Sequence, residues 1–204
     1  AHAGRHAHIG QLGIKGVLVI PNGVDLSRFK PLPMAEARKR VVYPTDKKIV
    51  ILISITDKPA KNIKLASEAV RQLHDPGIDF RIVRGVPNEE IPFFLNAADV
   101  MILSSKWEGS ANVIKEAMAC NCPVVSTDVG DAGWVMKGVS GCYITSLSAG
   151  ELSDAVSKAL QFSSRTTGRQ RIIDLDLGSD VVAERLHRLY GTVLNGDQTH
   201  GSLP

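Results

Sequence analysis

The run Ile49 to Ser54, IVILIS, is apolar at successive positions with no polar alternation until its final serine. A strand of that kind is covered on both faces, which points to a parallel sheet held between two helical layers. Further short runs read as strands: Val17 to Ile20, Phe80 to Val83, Asp99 to Leu103, Pro123 to Ser126 and Cys142 to Ile144. Helical segments separate them. Asn62 to Leu73 places Ile63, Ala66, Val70 and Leu73 at the 3–4 spacing of one buried face. Pro87 to Ala98 opens with Asn88, Glu89 and Glu90, acidic as a first turn should be. Met34 to Arg40, a helix from about Ala111, Glu151 to Leu160 and an amphipathic stretch from Asp180 to Leu194 complete the pattern. This alternation predicts an α/β, Rossmann-like three-layer domain with a six-strand parallel sheet.

Several function classes fall away. A formal net charge of +3 is too small to argue for nucleic acid or an anionic membrane surface. No apolar run approaches the roughly 20 residues of a membrane helix. The start, AHAGRHAHIGQLGIKG, lacks the layout of a signal peptide and has no initial Met, so the chain reads as a fragment. Cys120, Cys122 and Cys142 give an odd count. Cys-Asn-Cys is a poor zinc spacing, so buried free thiols and no metal are expected.

In a parallel sheet, ligands bind beyond the C-terminal ends of the strands. The loops at 21–25, 55–61, 84–87, 105–110 and 127–133 all follow expected strands and so share one rim. The stretch WEGSANVIKEAMACNCPVV, Trp107 to Val125, carries most of the chemistry there. Ser110 is a credible N-cap, and the N–H groups of Ser110, Ala111, Asn112 and Val113 would then offer an anion site at the helix start. Gly109 would allow close approach to the backbone. Lys61 would bring a positive charge to the same phosphates, and Lys58 another from within its loop. Glu116 flanks the apolar stripe of Val113, Ile114, Ala117 and Met118, with Lys115 expected to point roughly the opposite way. A carboxylate there wants donors, such as ribose hydroxyls. Glu108 stays in the loop, past the phosphates. The rival reading is a solvated rim without phosphate, and spacing alone leaves both open. The absence of G-x-G-x-x-G and G-x-x-x-x-G-K-[ST] argues against a dinucleotide domain or a P-loop NTPase.

The stretches IPNGVDLSRF, PAKN, NAADVMILSSKWEGSANVIKEAMACNCPVVSTDVG and GCYI resemble the C-terminal domain of family 4 retaining glycosyltransferases. The likeness is greatest to bacterial enzymes of capsular and exopolysaccharide assembly, and it runs from about Val17 to Leu160. It implies one half of a GT-B fold that binds a UDP- or GDP-sugar donor, with no cofactor and no metal required. It implies further that Glu108 lies near the donor sugar as the catalytic position. Glu116 would hold the ribose hydroxyls and Lys61 would neutralise the pyrophosphate. The amides from Gly109 to Val113 would form the phosphate cradle, and the Gly85-Val86 loop would meet the base.

The family often has Gly-Arg where this chain reads Ile55-Thr56, so one phosphate partner is missing unless Lys58 substitutes. It often has E-G-F-G-L-P where Glu108 to Val113 stand, which leaves the donor sugar open. The implied organisation is a linker remnant at 1–16, a donor domain at 17–162, C-terminal helices at 163–194 and a disordered tail at 195–204. His2, His6 and His8 fall in the linker and are assigned no catalysis. A saccharide or lipid-linked acceptor would bind through an absent N-terminal domain, so the fragment alone should transfer little. The full enzyme would be cytoplasmic, with peripheral association at the inner membrane face. Two alternatives remain at this point. One is a non-hydrolysing UDP-sugar 2-epimerase-like domain. The other is a non-catalytic nucleotide-binding or regulatory module.

Overall fold

The computed structural model describes residues 19–54 and 59–194. Lys58, Ile55-Thr56, the three N-terminal histidines and the 195–204 tail therefore lie outside the described residues.

Five strands form one parallel sheet: β1 (Lys48–Ile53), β2 (Ile78–Val83), β3 (Val100–Leu103), β4 (Val124–Thr127) and β5 (Cys142–Thr145). Their order is β2-β1-β3-β4-β5. In register, Lys48 faces Ile78, Met101 faces Val124, and Val124 faces Cys142. Parallel neighbours cannot be joined by a tight hairpin. The connections are accordingly helical: after α1 (Met34–Val41), which precedes β1, the strands are joined by α2 (Ile63–Arg71), α3 (Ile91–Ala97), α4 (Asn112–Ala119) and α5 (Ala132–Val135), and β5 is followed by α6 (Ala149–Phe162), α7 (Gly168–Asp174) and α8 (Ser179–Leu194).

Side-chain alternation divides each strand between two cores. Ile49, Ile51, Ile53, Met101, Leu103 and Val124 pack with Leu95 of α3 and with Ile114 and Met118 of α4. Val50, Leu52, Val100, Ile102 and Val125 pack on the other face with Ala66 and Ala69 of α2 and with Leu152 and Val156 of α6. Because both faces are dry, the period of two is present in space but invisible as polarity. Each fully buried Ile, Leu or Val contributes about 1.5–3 kcal/mol, so β1 and β3 anchor the fold.

The expected sixth strand is absent among the described residues. Val19 and Ile20 belong to no ladder, and Val17 lies outside the described part. The chain instead makes a single parallel bridge from Val24 to Gly178, with Val24 N–H on Leu177 O at 2.9 Å and Ser179 N–H on Val24 O at 2.9 Å. A Cβ at Gly23 would lie 2.7 Å from Ser179 Cα, so this close approach requires glycine. A four-residue apolar run is too short to specify its own pairing, and here the turn after it found the partner.

Several helix boundaries also move. Pro87 to Glu90 forms a turn, with Glu90 N–H on Pro87 O at 3.0 Å, and the helix begins at Ile91. The helix expected near Ala111 begins at Asn112. All three cysteines are free, and burial pushes the thiols of Cys120 and Cys142 up to about 12. They are inert packing residues. No helix of the described residues is long and apolar enough to cross a membrane.

Candidate functional site at the switch point of the sheet

From β1 the chain moves outward to β2, then returns to place β3 on the other side of β1. The crevice at such a switch point is where open α/β sheets take ligands. Lys61 follows β1 and Glu108 follows β3, so both stand at that crevice. Lys61 Nζ donates to Glu108 Oε1 at 2.7 Å, with the two side chains 25% and 21% exposed. Ser105 Oγ donates to the same oxygen at 2.8 Å.

The crevice is built by small hydroxyl residues at the strand ends. Ser104 Oγ reaches Lys61 O at 3.0 Å and Asn62 O at 3.1 Å, while Lys106 N–H donates to Ala60 O at 2.8 Å. These bonds fix the short 3-10 turn Pro59–Lys61 against the loop after β3. Thr127 Oγ1, at the end of β4, donates to Ser105 O at 2.7 Å. Sequence reading passed over Ser104, Ser105 and Thr127. Their signal was a pair of polar residues immediately after an apolar run, where a strand's last carbonyls need partners.

The other candidates fall along the same rim. A Cβ at Gly109 would meet nothing within 4 Å, so its backbone is open to a ligand. Asn112 opens α4 and accepts a hydrogen bond from Asn22 Nδ2 at 3.1 Å, which brings the 21–25 loop to the helix start. Val113 and Val86 are half-buried against the core, and Gly85 beside Val86 takes a left-handed φ of 62°. Glu116 is half-buried, and burial pushes its carboxyl up to about 7 against the opposing charge of Arg28. Arg28 is a neighbour the sequence did not single out. It sits on a turn closed by Asp25, whose Oδ1 accepts from the Arg28 backbone N–H at 3.0 Å.

Two expectations need correction. Ser110 does not cap α4. Ala111 occupies the cap position in extended conformation without a side-chain cap bond, and the Ser110 hydroxyl donates to Asp131 Oδ2 at 2.8 Å. Asp131 offers a charged acceptor, which outcompetes the neutral cap. Lys115 does not point into solvent. Its side chain is fully buried, 0% exposed, with Nζ 2.8 Å from Asp131 Oδ2. Helical spacing located its direction but could not reveal that the loop after β4 covers it.

Concavities of about 360 and 270 Å³ lie at the opposite end of the sheet, around Arg38, Lys48, Asp99 and Arg165. Their charged groups are already engaged. Arg38 pairs with Asp99 at 2.7 Å, and Arg165 donates to the carbonyls of Leu95, Ala98 and Cys120. The rim carries the reactive groups. Among the described residues no cluster of His, Cys, Asp and Glu is arranged to hold a metal ion.

Fold and rim together define a Rossmann-like α/β domain with a lysine–glutamate pair at the switch point. Residues 35–161 match the family described as glycosyl transferases group 1, and the chain belongs to that family. It is 32% identical over 158 residues to the Bacillus subtilis (strain 168) protein assigned to teichuronic acid biosynthesis as the glycosyltransferase TuaC. That match covers 69% of this chain but only 40% of TuaC. Among solved structures, sucrose-phosphate synthase from Thermosynechococcus elongatus superposes with a TM-score of 0.80 at 20% identity, covering 95% of this chain and 57% of that one. Alr3699/HepE from Anabaena, solved in complex with UDP-glucose, superposes with a TM-score of 0.69 at 20% identity, covering 86% and 57%. These two likenesses concern the fold.

Proposed function

We propose that the chain is the donor-binding half of a retaining glycosyltransferase of GT-B architecture. It takes a UDP- or GDP-sugar whose sugar passes to a saccharide or lipid-linked acceptor in polysaccharide assembly. Residues 17–162 form the donor domain, and the acceptor binds to a further domain that these 204 residues do not include. In this reading the chain acts at the cytoplasmic face of the membrane. The observation that carries the reading is the position of Lys61 and Glu108 together at the switch point, beside the uncapped start of α4. TuaC's assignment to teichuronic acid biosynthesis and the UDP-glucose bound by HepE support the substrate class.

In the transfer step the bond between the sugar's anomeric carbon and the diphosphate oxygen breaks as the acceptor hydroxyl oxygen bonds to that carbon, and the hydroxyl proton passes to the leaving diphosphate. Charge builds on the leaving diphosphate. Lys61 has three N–H donors, of which one engages Glu108 among the described residues. The others can turn to the phosphates, joined by the amides from Gly109 to Val113, and such fixed donors lower the barrier where charge develops. Glu108 receives the donor sugar, Glu116 the ribose hydroxyls, and Val86 packs near the base.

A charge-assisted hydrogen bond is worth about 1.5–3 kcal/mol, so Lys61→Ala should weaken UDP binding about tenfold or more. Uridine, which has no diphosphate, should bind the variant as it binds the unaltered chain. Calorimetry with UDP and an NMR titration with uridine check this. Equal losses for both ligands would remove the phosphate role.

A further inference from the structure

Lys115 is the one fully buried ammonium among the described residues that the donor site leaves without a task. An ammonium withdrawn from water is costly unless paired and hydrogen-bonded. It donates to Asp131 Oδ2 at 2.8 Å and to the Ser110 hydroxyl, and that hydroxyl in turn donates to Asp131 Oδ2 at 2.8 Å. The triangle joins α4, the loop after β3 and the loop after β4. A second contact links the same loops independently. Gly130 has a left-handed φ of 57°, and a Cβ there would lie 2.6 Å from Gly109 O and 3.1 Å from Glu108 O. The loop after β4 therefore presses directly on the Glu108-Gly109 backbone.

The consequence is felt at the helix start. The first N–H groups of a helix have no internal partners, and a serine at the cap position ordinarily accepts from one of them. Here Ala111 holds that position, the Ser110 hydroxyl one residue before it is bound to Asp131, and α4 has no side-chain cap. Apolar residues of similar volume hold loops together as well as a buried ion pair does. What the charges add is the hold on Ser110.

We infer that Lys115 and Asp131 are positioning residues. Their buried pair holds the Ser110 hydroxyl and, with Gly130, clamps Glu108 to Ala111 so that the amides of that turn stay aimed at the donor's diphosphate. This rests on the donor reading above.

The test is the charge-free pair Lys115→Met/Asp131→Leu in the 204-residue chain, with Ser110→Ala beside it. The double variant is expected to melt within about 5 °C of the unaltered chain. It should bind UDP at least about tenfold more weakly while uridine binding stays within about twofold. Ser110→Ala should keep the melting temperature and lose UDP affinity by about threefold or more. A purely structural pair would leave the UDP-to-uridine ratio unchanged. If the unaltered chain binds neither UDP nor GDP, the donor reading fails and the clamp with it. If it binds UDP and the folded double variant binds equally tightly, the clamp alone is overturned. A parallel loss of UDP and uridine overturns it too. Should the double variant not fold, Ser110→Ala decides: unchanged UDP affinity refutes the clamp, and selective loss supports it.

Discussion

Glu116→Ala is expected to weaken UDP and GDP binding about 10- to 150-fold, the range set by about 1.5–3 kcal/mol for hydrogen bonds to a charged group. The carboxylate sits half-buried on α4, one turn from the helix start, with Arg28 as its opposing charge. A pair of ribose hydroxyls would satisfy acceptors that burial removes from water. Calorimetric titration of wild type and variant measures the effect, and matching affinities would end the ribose assignment.

The same residue gives a pH dependence whose sign can be worked out. Burial raises the Glu116 carboxyl from 4.5 to about 7. Between those values the native state holds a proton that the unfolded chain has released. The associated stability is therefore fully present below about 4.5 and lost as pH rises through about 7. At about 1.4 kcal/mol per unit, the ionised carboxylate costs the empty protein up to about 3 kcal/mol at pH 8. Glu116→Gln should therefore melt higher than wild type at pH 8 and equally at pH 4, while binding UDP more weakly at pH 8. Nucleotide affinity relative to this variant should rise between pH 6 and 8 as the carboxylate forms. A melting difference independent of pH would contradict the burial argument.

Legibility in the sequence followed burial. The IVILIS strand was readable because both its faces are dry, and the placing of Lys61 and Glu108 on one rim was readable because both follow strands of a parallel sheet. Those two side chains meet at the crevice, 2.7 Å apart. The errors came where a local rule met a distant partner. Val17 to Ile20 had strand character, but the backbone pairing went to Val24 and Gly178. Ser110 had cap character, but Asp131, 21 positions on, offered a stronger acceptor. Lys115 was placed on the helix face away from the stripe, and only the covering loop makes that face interior. In the string of letters Asp131 is an ordinary loop residue after Gly130, so the pair had no signal in spacing.

That pair should dominate the stability of single variants. Lys115→Ala is expected to cost about 3–5 kcal/mol, because it strands a carboxylate that is 3% exposed. Against a total of about 5–15 kcal/mol for a domain, such a loss takes much of the margin. In the unaltered chain, burial pushes the Asp131 carboxyl up, but the Lys115 hydrogen bond and charge, aided by Ser110, outweigh it and hold it below the ordinary carboxylate value. That depression supplies stability above the unfolded value and loses it as pH falls through the folded one. With Lys115 gone, burial, the largest influence, is opposed only by the Ser110 and backbone hydrogen bonds, and the sign reverses. The stranded carboxylate then favours its protonated form, and the variant loses stability as pH rises. The gap between Lys115→Ala and wild type, measured by guanidinium unfolding, should therefore widen from pH 4 to pH 8. It should close again when Asp131→Leu is added to Lys115→Met, since no charge is then left without its partner. A gap under about 0.5 kcal/mol at pH 8, the scale of an ordinary surface substitution, would mean that Lys115 reaches water in solution.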